Sequence, residues 1–330
     1  MRAPAFWWRG DGGLAARILA PAGAAVGAVA ARRLRRPPSV RLGIPVLCIG
    51  NPTVGGAGKT PVAIAAARLL ADAGARPVFL TRGHRGRLAG PDVVEGGHGA
   101  ADVGDEALLL AAVAPVVVAR DRAAGGRLAA TLGDVVVMDD GFQNPGLSKT
   151  WAALVVDRAV GVGNGRVTPA GPLRASLAAQ VLLADALLIA DAGDGVERPL
   201  PPALAALPRH VVRLRPTVAG PLDVPLLVFA GIGRPDKVFD GLVRLGAEVR
   251  VRRPFPDHHA FTDRELERLA EEAARGGLRL ATTRKDWARL STGSAVARRI
   301  AREALVADVV ADLSPALRET ILAAGARPRL

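Results

Sequence analysis

One stretch of this sequence is suited to holding phosphate. Thr53, Val54, Gly55, Gly56, Ala57, Gly58, Lys59 and Thr60 follow one another directly. Gly55, Gly56 and Gly58 let the backbone curl until its N–H groups face inward, toward an anion. Lys59 is placed to reach the β- and γ-phosphates of a nucleoside triphosphate, and the Thr60 hydroxyl to bind Mg²⁺. Pro61 suits the first turn of a helix, whose N-terminus adds partial positive charge at the same place. The strict pattern G-x-x-x-x-G-K-[ST] is met except that Thr53 stands at the first glycine. The lysine carries weight because lysine is rare: only Lys59, Lys149, Lys237 and Lys285 occur among 44 basic residues.

Further residues could act beside such a loop. Asp139 and Asp140 end an apolar run and precede Gly141. Next to a phosphate loop, a parallel strand brings a carboxylate to Mg²⁺ in this way; on its own the string is an Asp-Gly turn. The expected metal donors are therefore Thr60, Asp139 and Asp140. Asp105 and Glu106 follow Gly104 at the mouth of a predicted helix and, locally, read as its N-terminal cap. His258 and His259 read locally as loop histidines. Arg82, Arg122 and Arg174 are candidates for anionic substrate or phosphate. His84, His98 and His210 have no partners at metal-ligand spacing, and Cys48 is the only cysteine, which leaves no intramolecular disulfide and no cysteine-based zinc site.

Positioning these groups requires strands that end where the chemistry begins. Continuous apolar runs predict strands at 46–50, 77–81, 116–119, 135–138, 152–156 and 186–190, as in a sheet buried on both faces. Helix-like stretches at 61–73 and 106–114 alternate with them. The alternation argues an α/β, P-loop NTPase-like, doubly wound sheet. Residues 194–210 are expected to be a connection. A second, smaller α/β unit is expected through 226–232, a helix at 262–275 and a strand at 278–282. The predicted organisation is a 1–36 N-terminal segment, a 37–205 nucleotide-binding domain and a 206–330 domain that closes the cleft.

The chain has 330 residues, half of them apolar, and a net charge of +13. An arginine-rich composition alone is weak support for a nucleic-acid partner, and the few aromatics argue against base stacking. The charge is unevenly placed: residues 1–41 hold eight arginines against Asp11, over half the net excess. Phe6, Trp7 and Trp8 precede a run of 14 residues from Ile18 to Ala31, and Arg32, Arg33, Arg35 and Arg36 follow it. A spanning helix needs about 20 apolar residues, and a signal peptide carries its charge before the run rather than after it. The pattern therefore predicts an interfacial helix, with arginines against anionic headgroups; the alternative is an ordinary helix docked on the body.

Together these strings resemble the tetraacyldisaccharide 4′-kinase (lipid A 4′-kinase) family of Gram-negative bacteria. The likeness runs from Pro4-Ala-Phe-Trp7 to about Leu290. It includes the 53–61 loop, Thr81-Arg-Gly83, Gly104-Asp-Glu106, Asp139-Asp-Gly-Phe-Gln143, Gly163-Asn-Gly165, Pro169-Ala-Gly-Pro-Leu-Arg174, Phe229-Ala-Gly-Ile-Gly233, Phe255-Pro-Asp-His-His259 and Lys285-Asp286. Asn144, Ala175-Ser176 and His84 depart from the family's usual residues. The resemblance implies ATP- and Mg²⁺-dependent phosphorylation of the 4′-hydroxyl of tetraacyldisaccharide 1-phosphate, giving lipid IVA, at the cytoplasmic face of the inner membrane. It implies Asp105 as the base assisted by His258, with Arg82, Glu106, Arg122, Gln143 and Arg174 on the substrate side. No nucleic acid and no obligate protein partner is expected. The alternative is a membrane-surface P-loop nucleotide-binding protein or an NTPase of other function. A guanine-reading Asn/Thr-Lys-x-Asp string is not supplied by Thr283-Arg-Lys-Asp286.

Overall fold

The computed structural model describes residues 3–326, so Arg2 of the basic N-terminal segment and residues 327–330 lie outside it. Its first half comprises α1 (Gly13–Leu34), β1 (Val46–Gly50), α2 (Lys59–Asp72), β2 (Pro77–Thr81), β3 (Asp92–Val93), α3 (Ala100–Val103), α4 (Asp105–Ala111), β4 (Val116–Val118), α5 (Arg122–Leu132), β5 (Val135–Asp139), β6 (Trp151–Asp157), α6 (Leu177–Val181) and β7 (Ala186–Asp191). The second half comprises β8 (Arg209–Val218), β9 (Leu226–Ala230), α7 (Asp236–Arg244), β10 (Val249–Pro254), α8 (Asp263–Arg275), β11 (Arg279–Thr283), α9 (Arg284–Ser291), α10 (Ala295–Glu303), β12 (Leu305–Asp312) and α11 (Pro315–Gly325).

All twelve strands form one sheet, in the order β10-β9-β11-β12-β8-β7-β6-β1-β5-β2-β4-β3. Pairing is parallel except between β8 and β12 and between β3 and β4. Strands β1, β2, β5 and β6 are buried at every residue, which is why their sequences are unbroken apolar runs. Helices α2, α4 and α11 cover one face of the first half, and α5 and α6 the other. Helices α8, α9 and α10 cover one face of the second half, with α7 opposite.

Two features differ from expectation. The supposed connection at 194–210 leads into a ten-residue strand, β8, whose 209–213 pair with 187–191 of β7. The sheet therefore runs unbroken past residue 205. Strand β8 alternates exposed Arg209, Val211 and Arg213 with more buried neighbours, so it lacks the continuous apolar run that reveals a central strand. The second feature is α11. Leu317, Ile321 and Ala324 pack into the core of the first half with Leu69, Leu70 and Val135. The chain thus returns to the P-loop half after building the second.

Helix α1 extends well beyond the 14-residue apolar run. It has 22 residues with Pro21 inside, and by length and composition alone could cross a membrane. Ala16, Gly23, Gly27, Ala31 and Leu34 form its buried stripe. Gly23 lies so close to the body that a Cβ there would sit 2.7 Å from the Val167 carbonyl oxygen.

Candidate active site

The phosphate loop joins β1 to α2, with Lys59 as the first helical residue. Gly55 and Gly58 take φ of 113° and 85°, the left-handed range that a side chain disfavours. Thr53 instead forms an antiparallel bridge with Leu173, an extended pairing that accepts a side chain where the strict pattern asks for glycine. Buried polar groups brace the loop from beneath. The Asn51 amide donates to the carbonyls of Thr53 (2.7 Å) and Gly55 (3.2 Å). Gln143 Nε2 donates to the Asn51 carbonyl and to Gln180 Oε1, both at 2.9 Å. Gln180 Nε2 donates to the Pro52 and Ala175 carbonyls. Arg174 Nε reaches the Thr53 carbonyl at 3.0 Å.

Register places Asp139 on β5 beside Ile49 on β1. The Thr60 hydroxyl donates to Asp139 Oδ2 at 2.9 Å, while the buried Asp139 Oδ1 has no hydrogen-bond partner. Burial, reinforced by the Glu106 charge, pushes the Asp139 carboxyl up to about 7. Asp140 adopts φ 57° and receives both terminal nitrogens of Arg174, at 2.8 and 3.0 Å, with Lys59 Nζ at 3.8 Å. Burial works to raise its pKa, but Lys59 and Arg174 outweigh it and hold the carboxyl below the usual range. The two aspartates are therefore not equivalent. Asp140 is satisfied by cations, whereas Asp139 has an orphaned oxygen beside a hydroxyl, oxygen donors that could hold a Mg²⁺. Among the described residues no cluster of three or more acidic, histidine or cysteine ligands offers an all-protein cage.

Asp105 opens α4 after Gly104, whose φ is 84°. Its Oδ2 lies 2.9 Å from His258 Nδ1, although the two are 153 residues apart. Arg289 of α9 donates to the same oxygen. Burial would raise the Asp105 pKa, but the His258 hydrogen bond and the charges of Lys285, His258 and Arg289 overcome it and hold the carboxyl well below the ordinary range. His258 takes φ 57°, an uncommon conformation for a non-glycine residue, and its backbone N–H is fixed on the Gly231 carbonyl at 2.9 Å. His259 points elsewhere, onto Glu265 at 3.1 Å and flat against Phe255. Geometry thus separates two adjacent histidines. Glu106 bonds Lys285 Nζ at 2.6 Å, and the Lys285 charge is the main reason its carboxyl is lowered. Lys59 also acts on Glu106, so this pair links the Asp105 cluster to the phosphate loop.

The remaining expected residues scatter. Arg82 is exposed just after β2. Arg122 is buried at the start of α5, donating to the Ala119 carbonyl, with its Nε unpaired; burial and the Arg82 charge lower its pKa to about 10. Gln143 sits within the bracing beneath the loop. Asn144, at the family's usual histidine, turns the chain through Oδ1 to the Gly146 N–H at 2.8 Å. Sequence reasoning overlooked Asn51, Gln180 and Arg289. Nothing local marks Arg289 among 40 arginines.

A family profile described as tetraacyldisaccharide-1-P 4′-kinase matches residues 15–326. The chain belongs to this family. A tetraacyldisaccharide 4′-kinase of Methylobacterium sp. (strain 4-46) is 54% identical over 316 residues, covering 93% of this chain and 94% of that protein. One from Azorhizobium caulinodans is 51% identical over 296 residues, covering 88% and 87%. Among solved structures, an "apo" form of LpxK from Aquifex aeolicus, crystallised in complex with ATP, is similar at a TM-score of 0.71 and 24% identity, over 94% of this chain and 99% of that one. That likeness shows that the two share a fold. Family membership carries the activity class, a kinase transferase acting in lipid A synthesis.

Proposed function

We propose that this chain transfers the γ-phosphoryl group of ATP to the 4′-hydroxyl of tetraacyldisaccharide 1-phosphate, giving lipid IVA and ADP. The observation that carries the mechanism is the Asp105–His258 contact at 2.9 Å, made across the two halves of the sheet. The N–H groups of residues 53–60 and the N-terminus of α2 hold the phosphates. Lys59 leaves Asp140 to neutralise the γ-phosphate. Thr60 and Asp139 would hold Mg²⁺, and Asp140 keeps Arg174 in place. When bound, Mg²⁺ would supply neutralisation of phosphate charge. Asp105, with His258 on its Oδ2, accepts the proton of the 4′-hydroxyl as that oxygen bonds to γ-phosphorus; the β–γ bridging bond breaks and ADP departs. Arg82 and Arg174 are the arginines offered to anionic groups of the substrate, while Arg122 is buried on the Ala119 carbonyl and Glu106 and Gln143 fix Lys285 and the loop. Residues 37–205 and 206–330 face this cleft as two halves of one continuous sheet, with α11 returned to the first half.

The lipid enters from α1. A cavity of about 480 Å³ lies between α1 and the loop bracing, lined by Val26, Val29, Arg33, Leu34, Gln143 and Arg174. Its lining is mostly apolar and includes Arg33 and Arg174, suited to acyl chains beside a phosphate. The buried stripe of α1 runs from Ala16 to Leu34, so a spanning pose would pull the polar 164–170 segment into the bilayer. The buried stripe therefore favours a helix lying in the membrane plane, at the cytoplasmic face that the family resemblance implies, with Leu14, Ile18 and Val29, each about 70% exposed, toward lipid. Exposed Leu182 and Leu183, at the end of α6 beside α1, extend that face. ADP release tests the reading. It should require the lipid acceptor and fall at least about 100-fold in Lys59→Ala, on the scale of lost transition-state charge stabilisation. Equal ADP release with and without lipid would contradict it.

A further inference from the structure

Arg289 makes more contacts than a surface helix residue requires. It belongs to α9, in the half of the sheet opposite the phosphate loop, yet its side chain is only 13% exposed. One terminal nitrogen meets Asp105 Oδ2; the other donates to the Gly231 carbonyl at 2.9 Å and to Asp286 Oδ1. Asp286 is in turn fixed. It is fully buried, takes the Gly231 N–H on both oxygens at 3.1 Å and accepts the Thr283 hydroxyl at 2.6 Å. Gly231 also accepts the His258 N–H through its carbonyl. One anchor, Asp286–Gly231, therefore sets both groups that converge on Asp105.

We propose that Arg289 is a positioning residue for phosphoryl transfer, clamping Asp105 through Oδ2 so that Oδ1 is the oxygen presented to the acceptor hydroxyl. The argument is one of occupancy. A carboxylate oxygen has about two lone-pair sites, and on Oδ2 both are addressed, by Arg289 and by His258 Nδ1. Oδ1 receives only the Glu106 backbone N–H at 3.0 Å, which leaves a site open to a proton. The clamp also tunes basicity. Arg289, His258 and Lys285 all favour the charged carboxylate, and Glu106, the neighbouring acid, is itself held by Lys285 with Lys59 beyond. Removing the Arg289 charge lets the Asp105 pKa rise. The base is then lost to protonation at a higher pH.

This inference rests on the reading of Asp105 as the base, and the test separates the two. Arg289→Met, Arg289→Lys and Asp105→Asn are assayed with ATP and lipid acceptor across pH, with ATP affinity and thermal midpoint measured in parallel. Arg289→Met should lose roughly 10- to 100-fold in kcat, within the range of acid–base contributions, while ATP affinity stays within about twofold. The acid limb of its kcat/KM profile should move up by about one pH unit, as expected when an opposite charge is removed at this range. Arg289→Lys should recover much of the rate and the limb. In the Asp105→Asn background, Arg289→Met should add no further loss. An unmoved acid limb in Arg289→Met, or a loss of rate that only follows a fall in thermal midpoint, would reduce Arg289 to a structural residue and overturn the proposal. An Asp105→Asn protein that kept its turnover would remove the base itself, and the clamp with it. Should Arg289→Met not fold, Asp286→Asn, which loosens the anchor but leaves the guanidinium in place, should lower kcat without changing ATP affinity; an unchanged kcat there would also overturn the proposal.

Discussion

At the scale of residues, the site is a set of carboxylates made unequal by their neighbours. Asp139 is buried beside a hydroxyl, Asp140 is held by two cations, and Asp105 is held by a histidine and an arginine. Asp139 and Asp140 stood out in the sequence as a pair ending an apolar strand beside a phosphate loop, but their opposite environments were not legible there. The Asp105–His258 pair was not legible from local sequence. Asp105 looks like a helix cap and His258 like a loop residue until the fold brings them to 2.9 Å; only the family resemblance pointed to them. If the pair acts as one unit, its members are not additive. Asp105→Ala should lose about 10³- to 10⁴-fold in kcat/KM and His258→Ala less, since a lone carboxylate still accepts a proton. The double variant should be little worse than Asp105→Ala, with ATP affinity intact in all three. A double-mutant cycle measures this, and losses that simply multiply would mean two independent residues.

At the scale of elements, short joints decide where the chemistry sits. Gly104 links α3 to α4 with φ 84°, and a Cβ there would lie 2.4 Å from the His84 carbonyl oxygen. Gly104→Ala must displace the first turn of α4 and Asp105 with it. The expected outcome is a loss of at least about 10-fold in kcat with ATP affinity nearly unchanged, because a misplacement of about 1 Å can cost 10²-fold; titration of ATP beside the kinetic assay separates the two effects. Strands buried on both faces were readable as apolar runs, whereas β8, β10 and β12, with alternating or arginine-rich faces, were not. The α1 run was visible but its length was not, since Pro21 and Arg17 sit inside a helix that the body holds in place. Leu14→Glu with Ile18→Glu alters only its exposed face. These substitutions should reduce flotation with anionic vesicles and slow turnover on vesicle-bound lipid, with less effect on a short-chain soluble acceptor. Unchanged flotation would argue that α1 does not meet lipid.

At the scale of the whole molecule, one sheet carries a phosphate loop in one half and a proton-handling cluster in the other. Ionic contacts tie the halves along the edge where the strands end. Asp105 meets His258 and Arg289, Glu106 meets Lys285, and Asp157 meets Arg234 at 2.8 Å as well as Lys237. In the proposed mechanism these ties serve to keep out water, which would otherwise accept the phosphoryl group. Two α/β units could be read from the alternation of apolar runs. Their fusion into a single sheet could not, because the joining strand β8 is half-exposed and α11 returns to the first half only in three dimensions. The central claim is that this closed cleft delivers the γ-phosphate to one hydroxyl of a lipid-linked disaccharide. The most direct measurement uses purified protein, γ-labelled ATP, Mg²⁺ and tetraacyldisaccharide 1-phosphate, with the position of the label in the product mapped. The account predicts label at the 4′-position of the distal sugar, absent when Asp105→Ala replaces the native chain. Label at another hydroxyl, or release as inorganic phosphate with the lipid unchanged, would contradict it.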